Sequence, residues 1–192
     1  KTILDWHLDA LKNIDFKEIQ IVVGYKKEKI KDDNLVIIEN TEWQKTNMVY
    51  SMLLSNEFEG DTIVSYSDIV FHKKHLIQLM KSKHDITVLA DLKWKDLWKL
   101  RMQYPLRDAE KFSAKNNKLQ TIGGRTRSYD NIEAQYMGLL KFSKKGLYTL
   151  KKIYYELDKS KQLSIDMTSM LNLLLKKNIE IHVVYIEGKW AE

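Results

Sequence analysis

The sequence predicts an α/β fold: a doubly wound, mostly parallel, Rossmann-like sheet with a small irregular insertion or lid. Three observations predict it. Short β-branched apolar runs recur along the chain, segments of helical period separate them, and one Pro and seven Gly in 192 residues leave no linker that could divide it. A chain of this length fits a single core, so residues 1–192 are read as one domain.

The elements follow in order. Ile3, Trp6, Leu8, Leu11 and Ile14 recur at roughly helical spacing, and Ile19 to Val23 reads as a strand closed by Gly24. The run Leu35-Val36-Ile37-Ile38 is a second strand, and Met48 to Leu54 a helix with Thr46 or Asn47 at its N-cap. Thr62-Ile63-Val64 is a strand leading to Asp68, Leu76 to Met80 a helix, and Ile86 to Ala90 a buried strand. From Asp91 to Asn131 the pattern turns irregular, with Trp94, Trp98, Pro105 and Gly123-Gly124 among many charges, as expected of an insertion or lid. Tyr136 to Phe142 restores a strand, followed by a helix through Leu147, Leu150, Ile153, Tyr154 and Leu157. A second helix, capped by Asp166 or Thr168, precedes a strand over Ile179 to Tyr185.

Composition narrows the function classes. Thirty-two Lys and Arg against 26 Asp and Glu give +6, with Lys spread along the chain, which favours small anionic ligands over nucleic acid. The absence of Cys excludes disulfides, Cys-ligated zinc and thiol catalysis, and suits a reducing compartment; a cytoplasmic protein is expected. No apolar run reaches the roughly 18 residues of a membrane span, and no basic-then-apolar leader is present. The five His lack metal-ligand spacing, and His72 and His75 read as surface residues.

In open parallel sheets ligands bind beyond the carboxyl ends of strands, and Asp68 follows such a strand. A carboxylate there suits Mg²⁺, which takes one or two carboxylates plus substrate phosphates. The competing reading makes Asp68 the cap of the next turn or helix.

The segments Val22-Val23-Gly24-Tyr25, Thr46-Asn47-Met48-Val49-Tyr50-Ser51 and Ser67-Asp68-Ile69-Val70-Phe71, in that order, resemble the nucleotidyltransferases that make nucleoside-diphosphate-linked metabolites. Pro105 to Glu110 and Ile132 to Leu140 are similar to the cytidylyltransferase branch acting on phosphocholine, 2-aminoethylphosphonate or phosphoramide substrates. The resemblance spans nearly the whole chain. It implies Mg²⁺-dependent transfer of CMP from CTP to a small phosphorylated, phosphonate or phosphoramide acceptor, with release of pyrophosphate. The partners expected are CTP and that acceptor, with a homodimer compatible with this reading and neither nucleic acid nor membrane involved; a sugar-1-phosphate nucleotidyltransferase and a non-catalytic nucleotide-binding module are the alternatives.

The resemblance also implies site residues. Asp68 is the catalytic metal ligand; Gly24, Thr46, Asn47 and Ser51 lie on the nucleotide side; and Arg101, Arg107, Glu133, Gln135 and Asp166 on the acceptor side. A carboxylate near Asp166 could hold an amino or ammonium group, although an N-cap is the stronger reading of Asp166. Trp94 and Trp98 read as packing residues rather than a cation cage. The family's Gly-rich loop with Arg and Lys is expected upstream of Lys1. Its second metal-binding Asp is expected beyond Gly188-Lys189-Trp190-Ala191-Glu192.

Overall fold

A computed structural model describes residues 1–32, 34–55 and 60–192. The chain runs α1 (Ile3–Leu11), β1 (Gln20–Val23), β2 (Val36–Glu39), α2 (Met48–Leu53), β3 (Thr62–Ser65), β4 (Val70–Phe71), α3 (Lys73–Met80), β5 (Ile86–Asp91) and α4 (Trp94–Arg101). It continues through β6 (Glu110–Lys115), β7 (Lys118–Arg125), β8 (Gln135–Phe142), α5 (Lys144–Tyr155), α6 (Lys159–Ser164), α7 (Met167–Lys176), β9 (His182–Ile186) and β10 (Trp190–Ala191).

A six-stranded sheet in the order β3-β8-β5-β9-β7-β6 forms the centre, flanked by the parallel pair β1-β2 and the antiparallel pair β4-β10. The α/β class is as expected. Strands β3, β5 and β9 run in one direction, with β8 reversed between β3 and β5, so the sheet is mixed. Apolar runs report burial on both faces but not strand direction, which is why β8 was legible as a strand and its polarity was not.

The sheet is covered on both sides. β5 is buried at all six positions and alternates between two cores. Ile86, Val88 and Ala90 pack with Leu150 and Leu174 on one face, while Leu89 packs with Leu139, Trp94, Trp98 and Trp190 on the other. The tryptophans are therefore core residues, with Trp98 Nε1 also donating to Asp108 at 2.9 Å.

The segment expected to be irregular contains a hairpin that joins the sheet. β6 and β7 pair antiparallel around Asn116 and Asn117, both in the left-handed region (φ 52° and 58°), as a two-residue hairpin turn requires. Between Glu110↔Arg125 and Phe112↔Ile122 the register shifts, so Lys111 opposes both Gly123 and Gly124. These glycines adopt φ of +81° and +80°, and a Cβ on Gly123 would lie 2.6 Å from Thr168 Cγ2. The bulge thus brings β7 against the start of α7.

His75 is wholly buried, correcting the surface reading: its Nε2 donates to Gly188 O at 2.9 Å. His72 is exposed and caps α3 by accepting from Lys74 N.

Candidate active site

The carboxyl edge of β3 and β5 gathers three connected segments. Beyond β3, Tyr66 N donates to Gly138 O at 2.9 Å, and the chain turns through Ser67 and Asp68 before Ile69 enters the core. His7 Nε2 donates to Ile69 O, tying α1 to this turn. β4 then pairs with β10, and His72 N donates to Lys189 O at 3.2 Å. The third segment is held by Asp91 at the end of β5. Its buried carboxylate accepts from Lys93 N, Gly188 N and Trp190 Nε1 at 2.8–2.9 Å.

Asp68 itself is exposed, and no hydrogen bond or ion pair engages it among the described residues. The following helix takes His72 as its cap, so capping does not explain this aspartate. Among the described residues no group of three or more His, Cys, Asp or Glu is arranged to hold a metal. A single free carboxylate at a strand end nevertheless fits Mg²⁺, which retains waters and takes substrate phosphates as its other ligands.

On the nucleotide side the organising residue is one the sequence reading missed, Asn40. It is 2% exposed; its Nδ2 donates to Thr46 Oγ1 at 2.9 Å and Ser51 Oγ at 3.0 Å, and its Oδ1 accepts from Glu42 N. Thr46 and Ser51 therefore face a buried amide. Asn47 caps α2 through Met48 N at 2.7 Å and donates to Ser164 O at 3.1 Å, stitching α2 to α6. These contacts display the capping role for Asn47. Gly24 is not among the residues of positive φ; what requires glycine is Trp43, whose Cβ would lie 2.6 Å from an added methyl. An Asn following a strand was the signal available for Asn40.

The proposed acceptor residues are not one constellation. Arg101 reaches Glu192 at 3.2 Å and lies over Trp98, while Arg107 lies over Tyr104 rather than pairing with a neighbouring acid. Glu133 accepts from Ala114 N and from the Tyr185 hydroxyl, and buried Gln135 bonds both backbone groups of Glu110. Glu133 and Gln135 thus fasten β8 and β9 to β6. These contacts have a physical cause: polar side chains beside a strand satisfy the backbone of a bulged neighbour.

Asp166 does line a cleft. Its carboxylate caps α7, accepting from Ser169 N at 2.7 Å and from the Ser169 hydroxyl at 2.9 Å. Beside it opens a space of about 220 Å³ lined by Met48, Tyr66, Glu110, Gly123, Gly124 and Asp166, among others. Burial, followed by the charges of Asp166 and Asp108, raises the Glu110 pKa. Burial also raises Tyr66 well above the ordinary phenol, with Asp166, Glu110 and Asp68 adding to the shift. Tyr66 thus stands between the cleft and the Asp68 turn.

No protein-family model matches the chain. A CTP:phosphoglutamine cytidylyltransferase from Campylobacter jejuni is 34% identical, the alignment covering all of this chain and 83% of the relative. Among solved structures, the inositol-1-phosphate CTP transferase of Thermotoga maritima superposes with a TM-score of 0.77 at 19% identity, covering 99% of this chain and 75% of that one. A putative glucose-1-phosphate thymidylyltransferase from Bacillus anthracis gives 0.70 at 15% identity, with 98% and 75% covered. These two share the fold. The chain belongs to the nucleotidyltransferase family of enzymes, in its cytidylyltransferase branch.

Proposed function

We propose that the protein transfers CMP from CTP to a phosphorylated glutamine or a closely related amino-bearing phosphoramide, in a Mg²⁺-dependent reaction. The observation that carries this reading is the similarity along the full chain to the Campylobacter jejuni CTP:phosphoglutamine cytidylyltransferase. An acceptor phosphoryl oxygen attacks the α-phosphorus of CTP; the new P–O bond forms as the bond to the β-phosphate oxygen breaks, and pyrophosphate leaves. No protein nucleophile is needed, so the chain's task is positioning and charge neutralisation.

In this reading Asp68 is the protein carboxylate that holds Mg²⁺, supported by its strand-end position and its lack of a partner among the described residues. The ion would neutralise phosphate charge as it shifts to the leaving group. Asn40 fixes the loop bearing Thr46 and Asn47, so their contribution to the nucleotide side comes through the shape of that loop. No described helix is long and apolar enough to cross a membrane. We place the reaction in the cytoplasm, where CTP is made.

The test is a pyrophosphate-release screen of CTP and UTP against phosphorylated glutamine, phosphocholine, 2-aminoethylphosphonate and glucose-1-phosphate, with and without Mg²⁺. Turnover is expected with CTP, Mg²⁺ and the glutamine-derived acceptor. Equal or greater turnover of UTP with glucose-1-phosphate would move the enzyme to the sugar branch.

A further inference from the structure

Asp91 is a buried carboxylate, 1% exposed at the end of β5, and no ion pair engages it among the described residues. A buried charge is costly unless hydrogen bonds offset it. Here Lys93 N and Gly188 N donate to one oxygen and Trp190 Nε1 to the other. Only a carboxylate satisfies all of these donors, because an asparagine would turn an N–H toward one of them. Gly188 is gripped from its other side as well, its carbonyl accepting from the buried His75 Nε2 at 2.9 Å. Gly188 and Lys189 are consecutive left-handed residues, with φ of 62° and 63°, and a left-handed lysine persists only where surrounding contacts hold it. The clamp therefore fixes a tight turn, and β10 leaves from it. β10 sets Trp190 opposite Phe71 and Ala191 opposite Val70, just beyond Asp68, while Lys189 O accepts from His72 N. Trp190 also shares an apolar cluster with Ile69, the residue next to Asp68.

We propose that Asp91 is a positioning residue for the reaction: through Gly188 and Trp190 it sets β10 against β4, and so sets where the Asp68 carboxylate stands relative to the bound triphosphate. This rests on the reading of Asp68 as the Mg²⁺ ligand and extends it to the group that holds that ligand in place. The Asp68 side chain makes no bond of its own among the described residues, so the backbone on either side locates it. On the β3 side Tyr66 N donates to Gly138 O; on the other, His7 holds Ile69 O and β10 holds β4. Mg²⁺ demands near-octahedral geometry at short distances, so a single anchoring carboxylate tolerates little displacement; a misplacement of about 1 Å can cost on the order of 100-fold in rate. An apolar residue in place of Asp91 would fill the same space without desolvating a charge. What the carboxylate adds is a fixed direction for the turn at residues 188–190.

The experiment compares wild type, Asp91→Asn, Asp68→Asn and the double variant at a temperature well below their melting points. Mn²⁺ affinity in the presence of CTP, read from the EPR signal of the free ion, is expected to weaken about 10-fold in Asp91→Asn. With CTP, Mg²⁺ and phosphorylated glutamine, kcat should fall roughly 10- to 100-fold, the range met when a group supporting a metal ligand is removed. Without metal or nucleotide, hydrogen exchange of the His72 amide, which bonds Lys189 O, should quicken more than that of the β5 amides. In the Asp68→Asn background the same substitution should cost no further Mn²⁺ affinity or activity, since both act through one carboxylate. Trp190→Phe removes one donor and keeps a ring in the core; it should weaken Mn²⁺ binding by less, and it carries the comparison where Asp91→Asn does not fold. An Asp91→Asn protein that melts lower yet binds Mn²⁺ and turns over as wild type does would overturn the proposal and leave Asp91 a structural residue. Losses that multiply in the double variant would overturn it too. Near-normal turnover and Mn²⁺ affinity in Asp68→Asn alone would overturn the reading of Asp68, and the proposal with it.

Discussion

The carboxylate of Asp91 accepts a hydrogen bond from Trp190 Nε1 at 2.8 Å, joining positions 99 residues apart, and its other oxygen accepts from Gly188 N. Because β10 pairs with β4, this buried group anchors the partner of the strand that follows Asp68. In Asp91→Asn one oxygen can keep its backbone donors, but the new amide faces the indole N–H, donor against donor. A loss of about 1–3 kcal/mol is expected, measured by urea unfolding. An unchanged midpoint would show that Asp91 does not hold this segment.

Much of this arrangement was legible in the sequence. Strands β3 and β5 were carried by β-branched runs and β8 by a run of apolar residues, and Asp68 stands in the turn after β3. The β6-β7 hairpin was missed because a register shift at Gln120 sets its buried positions Leu119 and Ile122 three apart, breaking the alternation of a strand, and Lys and Glu at an exposed edge lower its apolar signal. Glu110 and Tyr66 were missed for another reason. Their meeting depends on a glycine bulge and on contacts between segments far apart, which no local pattern encodes.

Asn47→Ala removes the bond to Met48 N and the bond to Ser164 O together. A stability loss of about 1–2 kcal/mol is expected, with preference for CTP over UTP intact, since both ends of the amide are engaged within the chain. A relaxed nucleotide preference at normal melting temperature would assign Asn47 to the base instead.

Burial lowers the pKa of His75, with its bonds to Gln78 and Gly188 acting in the opposite sense. The folded state therefore favours the neutral ring. Its stabilising contribution is complete above the ordinary His pKa near 6.5 and is lost as pH falls through the lower folded value. His75→Gln, which can still donate to Gly188 O, should flatten the decline of melting temperature below pH 6.5. An identical acid slope in wild type and variant would remove His75 as its source.

Asp68→Asn separates metal binding from folding. No bond of Asp68 is lost, so the melting temperature should stay within the half kcal/mol typical of surface changes. Turnover should fall on the order of 10²–10³-fold or more, as removal of a group acting on transition-state charge does, and should not recover its wild-type dependence on Mg²⁺. Near-normal kcat/KM with unchanged metal dependence would remove Asp68 from the site.

Glu110 makes stability depend on pH. Burial and the neighbouring charges of Asp166 and Asp108 raise its folded pKa above the ordinary 4.5, so the protonated form is favoured by folding. That contribution is present below the unfolded pKa and is lost as pH rises through the folded value; at pH 7 the ionised group is therefore a net cost without a bound cation. Glu110→Gln should then melt higher than wild type at pH 7, with the gap closing toward pH 4. Thermal melts across this pH range read the effect. A variant that melts lower than wild type at pH 7 would show that Glu110 is a structural carboxylate, satisfied by the Gly124 amide and the Thr168 hydroxyl.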